Sequence, residues 1–187
     1  MVEARVTGER WVAKRLTFGK RDLLPCDRRL AWEIESGYVR AIASSDRETI
    51  KVLGIWGPRE SIGTFVSQAH ACQLECLSKL EAKPISIQSL NMNALLKGYI
   101  EQTETLLGIA RERHLSAKIV KLFSWLSHRF GTPLESGIRI DVPLTHQDLA
   151  EAIGASREAV TRELRVLEQS HSIEWQNRSV ILLKSVF

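Results

Sequence analysis

Apolar and polar positions alternate singly through roughly the first 85 residues, in short runs such as Ala31–Glu35, Tyr38–Ala43 and Thr49–Trp56. A period of two places successive side chains on opposite faces of a strand. Gly37, Ser44-Ser45-Asp46, Gly54, Gly57-Pro58 and Gly63 punctuate the runs as turns. Many short strands with frequent turns predict a small barrel or sandwich. The period then changes near Ser86. Met92, Leu96, Tyr99, Thr103, Leu106 and Ala110 recur at spacings of 4, 3, 4, 3 and 4, flanked by Leu95, Ile100 and Leu107. This is a heptad seam on one long helix, and it fits two roles equally: packing against its own domain, or parallel dimerisation with Thr103 as a polar seam position.

A second helix is predicted from about Ser116 to Phe130, with Ile119, Val120, Leu122, Phe123, Leu126 and Phe130 on its apolar face and Gly131-Thr-Pro ending it. Ile138 to Val142 reads as a short strand. Ile173–Gln176 and Ser179–Leu183 flank Asn177-Arg178 as a hairpin, with Arg178 at its tip. The fold class is therefore α+β, in three parts: residues 1–86, 87–111 and 112–187.

Between these lies the most informative segment, Leu144 to Glu168. Thr145 with Asp148 three residues on forms a capping-box pattern. The helix after it is about eight residues long. Gly154 stops it where a left-handed residue is needed, and Ser156 is at once a new N-cap. Two helices joined across three residues cannot fold back antiparallel, so they cross steeply, as in a helix-turn-helix. On the second helix Arg157, Glu158, Thr161, Arg162 and Arg165 share one side, and Val160, Leu164 and Leu167 share the other. Arg can donate twice to guanine and Glu can accept from cytosine. A solvated amphipathic helix with Arg and Glu paired at i,i+4 is the competing reading of the same pattern.

The chain of 187 residues carries 44% hydrophobic and 26% charged residues, with a net charge of +4 that permits nucleic-acid binding without deciding it. It has no apolar run of membrane-spanning length and no signal-peptide pattern, so no membrane partner and a cytoplasmic location are expected. Its three cysteines are expected to stay reduced. No nucleophile elbow, phosphate loop or paired acid–base carboxylates stand out, so an enzyme is not expected. The histidines at 70, 114, 128, 146 and 171 show no metal spacing.

Ser156-Arg157-Glu158-x-Val160-x-Arg162-x-Leu164, preceded by Gly154 and followed by Leu167-Glu168, resembles the signature of the Crp/Fnr family of bacterial transcription regulators. Ile34-Glu-Ser-Gly-Tyr-Val-Arg and Ile55-Trp-Gly-Pro-Arg-Glu-Ser-Ile-Gly resemble that family's effector domain more weakly. The resemblance implies a cyclic-nucleotide-binding-like β-roll at 1–86, a dimerisation helix at 87–111 and a winged helix-turn-helix at 112–187. It implies a homodimer on double-stranded DNA with GTGA-like half-sites, and RNA polymerase as a further partner. Arg157, Glu158 and Arg162 would read bases. Thr145, His146, Gln147, Ser156, Thr161 and Arg165 would meet the backbone, and Ala159 stands where the family often has Thr. A protein-interaction module on the same fold, without operator binding, is the alternative.

Family members that bind cyclic nucleotide resemble one another in a Gly-Glu followed by Arg-Ser or Arg-Thr. Here Thr64 stands in place of that Glu, and no Arg lies near His70-Ala71 to pair with a phosphate. No cofactor is expected, cyclic nucleotide included, and the effector is left unassigned. Cys26, Cys72 and Cys76 are too few for an all-cysteine iron–sulfur cluster. Cys72 and Cys76 read instead as part of a buried strand row with Leu74.

Overall fold

The computed structural model describes residues 14–27, 29–44, 50–63, 72–176 and 179–183. The alternating runs form two sheets. β1 (Leu16–Phe18), β7 (Leu80–Ser86), β2 (Leu30–Ser36) and β5 (Ser61–Ile62) lie in that order in one. β4 (Ile50–Trp56), β3 (Val39–Ser44) and β6 (Cys72–Cys76) make the other, and every pairing is antiparallel. Alternate residues turn inward from both sheets, so Trp32, Ile34, Val39, Ala41, Ile62, Leu74, Leu80 and Ala82 form one core. Cys72, Leu74 and Cys76 share the inward face of β6, with Cys76 fully buried.

α1 (Met92–Ala110) runs along β4. Tyr99 stacks on Trp56 at 4.6 Å, and its hydroxyl donates to the Gly63 carbonyl at 2.6 Å. The buried Gln102 accepts the Ile55 amide through Oε1 at 2.8 Å. That approach needs a glycine at 54, because a Cβ there would lie 2.4 Å from Trp56 and 2.6 Å from Gln102 Oε1. Thr103 Oγ1 reaches the carbonyls of Leu53 and Tyr99.

These contacts split the seam read from the heptad pattern. Of Met92, Leu96, Tyr99, Thr103, Leu106 and Ala110, Tyr99 and Leu106 are turned into their own chain, only 7% and 4% exposed. The apolar residues left outside on α1 are Leu96, Ile100 and Leu107, with the exposed Thr103 between them. A heptad records which residues share a face and says nothing of whether that face meets a sheet or a second helix. Here the sheet took the Tyr99–Leu106 face.

α2 (Leu115–Phe130) carries Ile119, Leu122, Phe123 and Leu126 into a second core. α3 (His146–Ile153), α4 (Arg157–Gln169) and a four-stranded antiparallel sheet complete this half. The sheet order is β10 (Ile173–Gln176), β11 (Ser179–Leu183), β9 (Gly137–Ile140) and β8 (Gly131–Pro133). β8 went unread because Gly-Thr-Pro looks only like a helix stop. Ile55, Leu77, Leu106 and Ile109 from the first half join this second core, so apolar packing runs unbroken between the halves.

A buried charge cluster joins them as well. Arg40 on β3 reaches Glu75 on β6 through Nε at 2.8 Å, and Glu151 on α3 through Nη1 at 2.6 Å. Asp148 Oδ1 lies 2.8 Å from Arg21 Nη1 and 3.3 Å from Arg40 Nη1. Both contacts are ion pairs of an almost fully buried carboxylate. Arg40 and Asp148 are 4% and 1% exposed. Removing one partner of such a buried set leaves the others uncompensated. Arg40→Met should therefore cost about 3–5 kcal/mol of stability by urea denaturation; a loss below about 1 kcal/mol would show that the cluster is solvent-relaxed.

Burial pushes the Asp148 carboxyl upward. Bonds from the Thr145 amide and hydroxyl, the contact with Arg21 and the charge of Arg40 outweigh it and hold the group below its ordinary value. A depressed folded pKa gives stability that is fully present above the unfolded value, about 3.9, and is lost as pH falls through the folded one. Stability should thus drop on acidification below about pH 4, and Asp148→Asn should flatten that drop while lowering stability at neutral pH.

Candidate nucleic-acid interface

Thr145 caps α3 as its spacing requires. Its hydroxyl accepts the Asp148 amide at 3.1 Å, and Asp148 Oδ2 accepts the Thr145 amide at 2.8 Å. The Thr145 hydroxyl hydrogen also goes to Asp148 Oδ2, at 2.7 Å, so this side chain serves the cap. The α3 amides that follow it, on His146 and Gln147, are the unpaired first-turn donors that suit an anion. The Gln147 side chain donates to Glu151 Oε1 at 2.7 Å.

α3 ends at Gly154, whose φ of 65° is the left-handed conformation expected there. Ser156 then caps α4 by accepting the Ala159 amide at 3.2 Å. α4 is held from beneath by Val160, Leu164 and Leu167, which are 0%, 3% and 7% exposed. Arg157, Glu158, Arg162 and Arg165 are exposed on the other side. Among the described residues no hydrogen bond or ion pair engages these four side chains, and Glu158 and Arg162, four residues apart, are not bridged. This is not the i,i+4-paired helix of the competing reading.

His146 and Thr161 meet each other. His146 Nδ1 lies 2.9 Å from Thr161 Oγ1, and the Thr161 hydroxyl donates to the Arg157 carbonyl at 2.8 Å. Trp175 of β10 stands edge-on to the His146 ring, with centroids 5.5 Å apart. No spacing rule pointed to Trp175, nor to the Arg21 and Arg40 that hold α3 from outside its own segment. The hairpin tip at Asn177-Arg178, and Thr64, His70 and Ala71, lie outside the described residues.

Of the cysteines, Cys26 is exposed and Cys72 half-buried. Burial, helped by the nearby carboxylates of Asp22 and Glu75, pushes the Cys76 thiol up to about 12, which makes it inert.

A model of the Crp-like helix-turn-helix domain matches residues 117–185. The regulatory protein CysR of Synechococcus elongatus is 36% identical over 171 residues, spanning 90% of this chain and 83% of that protein. The chain belongs to the Crp/Fnr family. As a Crp/Fnr chain it is also 37% identical over 92 residues to the global nitrogen regulator of Synechocystis sp., covering 49% of this chain and 41% of that one. A CRP-family transcriptional regulator from Thermus thermophilus shares the fold at a TM-score of 0.71, with 19% identity over 90% of this chain and 92% of its own. This Crp/Fnr protein is a transcription regulator with a DNA-binding helix-turn-helix, and it places that motif at α3 and α4. No helix among its described residues is long and apolar enough to cross a membrane.

In this Crp/Fnr motif the turn depends on the left-handed residue at 154. A Cβ there would meet nothing within 4 Å, so Gly154→Ala should destabilise through backbone conformation alone, by about 1–2 kcal/mol in thermal denaturation. A larger loss would mean that the two helices had also moved apart.

Proposed function

We propose that this regulator is a sequence-specific DNA reader that binds an inverted repeat of GTGA-like half-sites as a homodimer. The observation that carries this reading is the α4 face of Arg157, Glu158 and Arg162. Its side chains are exposed and unengaged, on a helix whose opposite side is locked into the core. A recognition helix presents its first turns to base edges in the major groove, and these three residues occupy α4's first two turns. Arg157 and Arg162 offer paired donors for guanine, and Glu158 accepts from cytosine. Ser156, Arg165, Gln147 and the backbone amides of the first turn of α3 lie alongside for the phosphates.

Two such helices must be held about one helical turn, ~34 Å, apart to read both half-sites. The α1 stripe of Leu96, Ile100 and Leu107 is an apolar face left open among the described residues, at heptad-like spacing suited to a second α1. The pair Ile100→Glu and Leu107→Glu should give a monomer by sedimentation velocity while keeping the native circular dichroism spectrum. A surviving dimer would place the interface elsewhere.

Arg157→Ala should weaken a GTGA inverted repeat by about 1–3 kcal/mol and relax preference at one base pair. Arg165→Ala should weaken all DNA alike and lower the slope of log K against log salt by about one. Equal losses on specific and random DNA for both variants would sink the base-reading assignment.

A further inference from the structure

We infer that His146 is a positioning residue that fixes the rotation of the recognition helix through Thr161, rather than a ligand for DNA phosphate. This rests on the reading of α4 as the DNA-reading helix. A hydroxyl has one hydrogen. That of Thr161 goes to the Arg157 carbonyl one turn back, at 2.8 Å. With its hydrogen on that carbonyl, Thr161 Oγ1 accepts from His146, 2.9 Å away, and Nδ1 of the imidazole is the donor. The contact uses Nδ1, and Trp175 stands against the ring, so the imidazole is tied to two other elements of the motif and serves as a strut.

The strut's position gives it leverage. His146 is the first residue of α3, Thr161 sits on the second turn of α4, and the carbonyl at the end of the relay belongs to the base-reading Arg157. Trp175 braces the ring from β10, with its plane at 88° to the imidazole. The anchors Val160, Leu164 and Leu167 hold α4 down, but apolar burial is non-directional and resists rotation about the helix axis only weakly. A hydrogen bond to a fixed point on α3 supplies the direction. Three elements of the winged helix thus converge on one imidazole, and none of the contacts requires DNA.

Two measurements on the full chain test this. Long-range proton–nitrogen NMR of the free protein should show His146 protonated at Nδ1; a ring protonated only at Nε2 would reverse the bond, leave Nε2–H free to meet a phosphate, and overturn the assignment of His146 as strut rather than ligand. Binding to the GTGA inverted repeat and to random duplex gives the second. His146→Ala should lose roughly three- to tenfold on the specific site, with random-DNA affinity and salt slope unchanged. His146→Asn restores a donor near the Nδ1 position and should recover most of the loss, whereas His146→Gln should not. Thr161→Val should match His146→Ala, and the double variant should be no worse than either. Equal loss on both DNAs with a shallower salt slope would make His146 a phosphate ligand, and additive losses would break the pair. Wild-type protein that fails to prefer the repeat would overturn the reading of α4 itself, while the NMR result still decides the direction of the bond.

Discussion

Asp148 is a carboxylate 1% exposed at the start of a short helix, and burial of that charge is tolerable only if every neighbour compensates. One oxygen closes the capping box with Thr145; the other lies between the guanidiniums of Arg21 and Arg40. The same group therefore starts α3 and fixes it to the β-domain. The position of α3 in turn sets where the three-residue turn at Gly154 launches α4, and so where Arg157, Glu158 and Arg162 stand. Arg40 extends the constraint to Glu151, and Glu151 to Gln147, so a buried residue of β3 is two bonds from the first turn of α3.

Much of this was legible before any coordinates. The capping box, the left-handed Gly154, the second cap at Ser156 and the two faces of α4 are local features, written within a few residues of where they act. The inward row of β6 followed from its period of two. Features that depend on partners distant in sequence were not legible. The α1 pattern placed six residues on one seam, which the fold divides: Trp56, Ile55 and Gly63 claim the side of Tyr99 and Gln102, and Leu96 and Thr103 stay exposed. The charge cluster joins residues 21, 40, 75, 148 and 151, and no spacing in the chain announces it. Thr145, His146 and Thr161 read as phosphate contacts from their positions, and the sequence did not show that their side chains also meet partners within the motif.

The division of labour that results is physical. Apolar anchors supply most of the free energy that keeps α4 in place, while polar struts at Asp148 and His146 supply its direction. Arg157, Glu158 and Arg162, the proposed reading residues, have no hydrogen bond or ion pair among the described residues, so no intramolecular bond must break before they meet a base. The β-domain is joined to this arrangement twice, through the continuous core at Ile55, Leu77, Leu106 and Ile109 and through the buried charges that tie β3 and β6 to α3.

The central claim is that two copies of α4 read two half-sites on one face of a duplex. Hydroxyl-radical footprinting of the wild-type protein on an inverted GTGA repeat tests it most directly. Two protected patches related by two-fold symmetry, with centres one helical turn, ~34 Å, apart, are expected. A single patch, or uniform weak protection along the duplex, would contradict it.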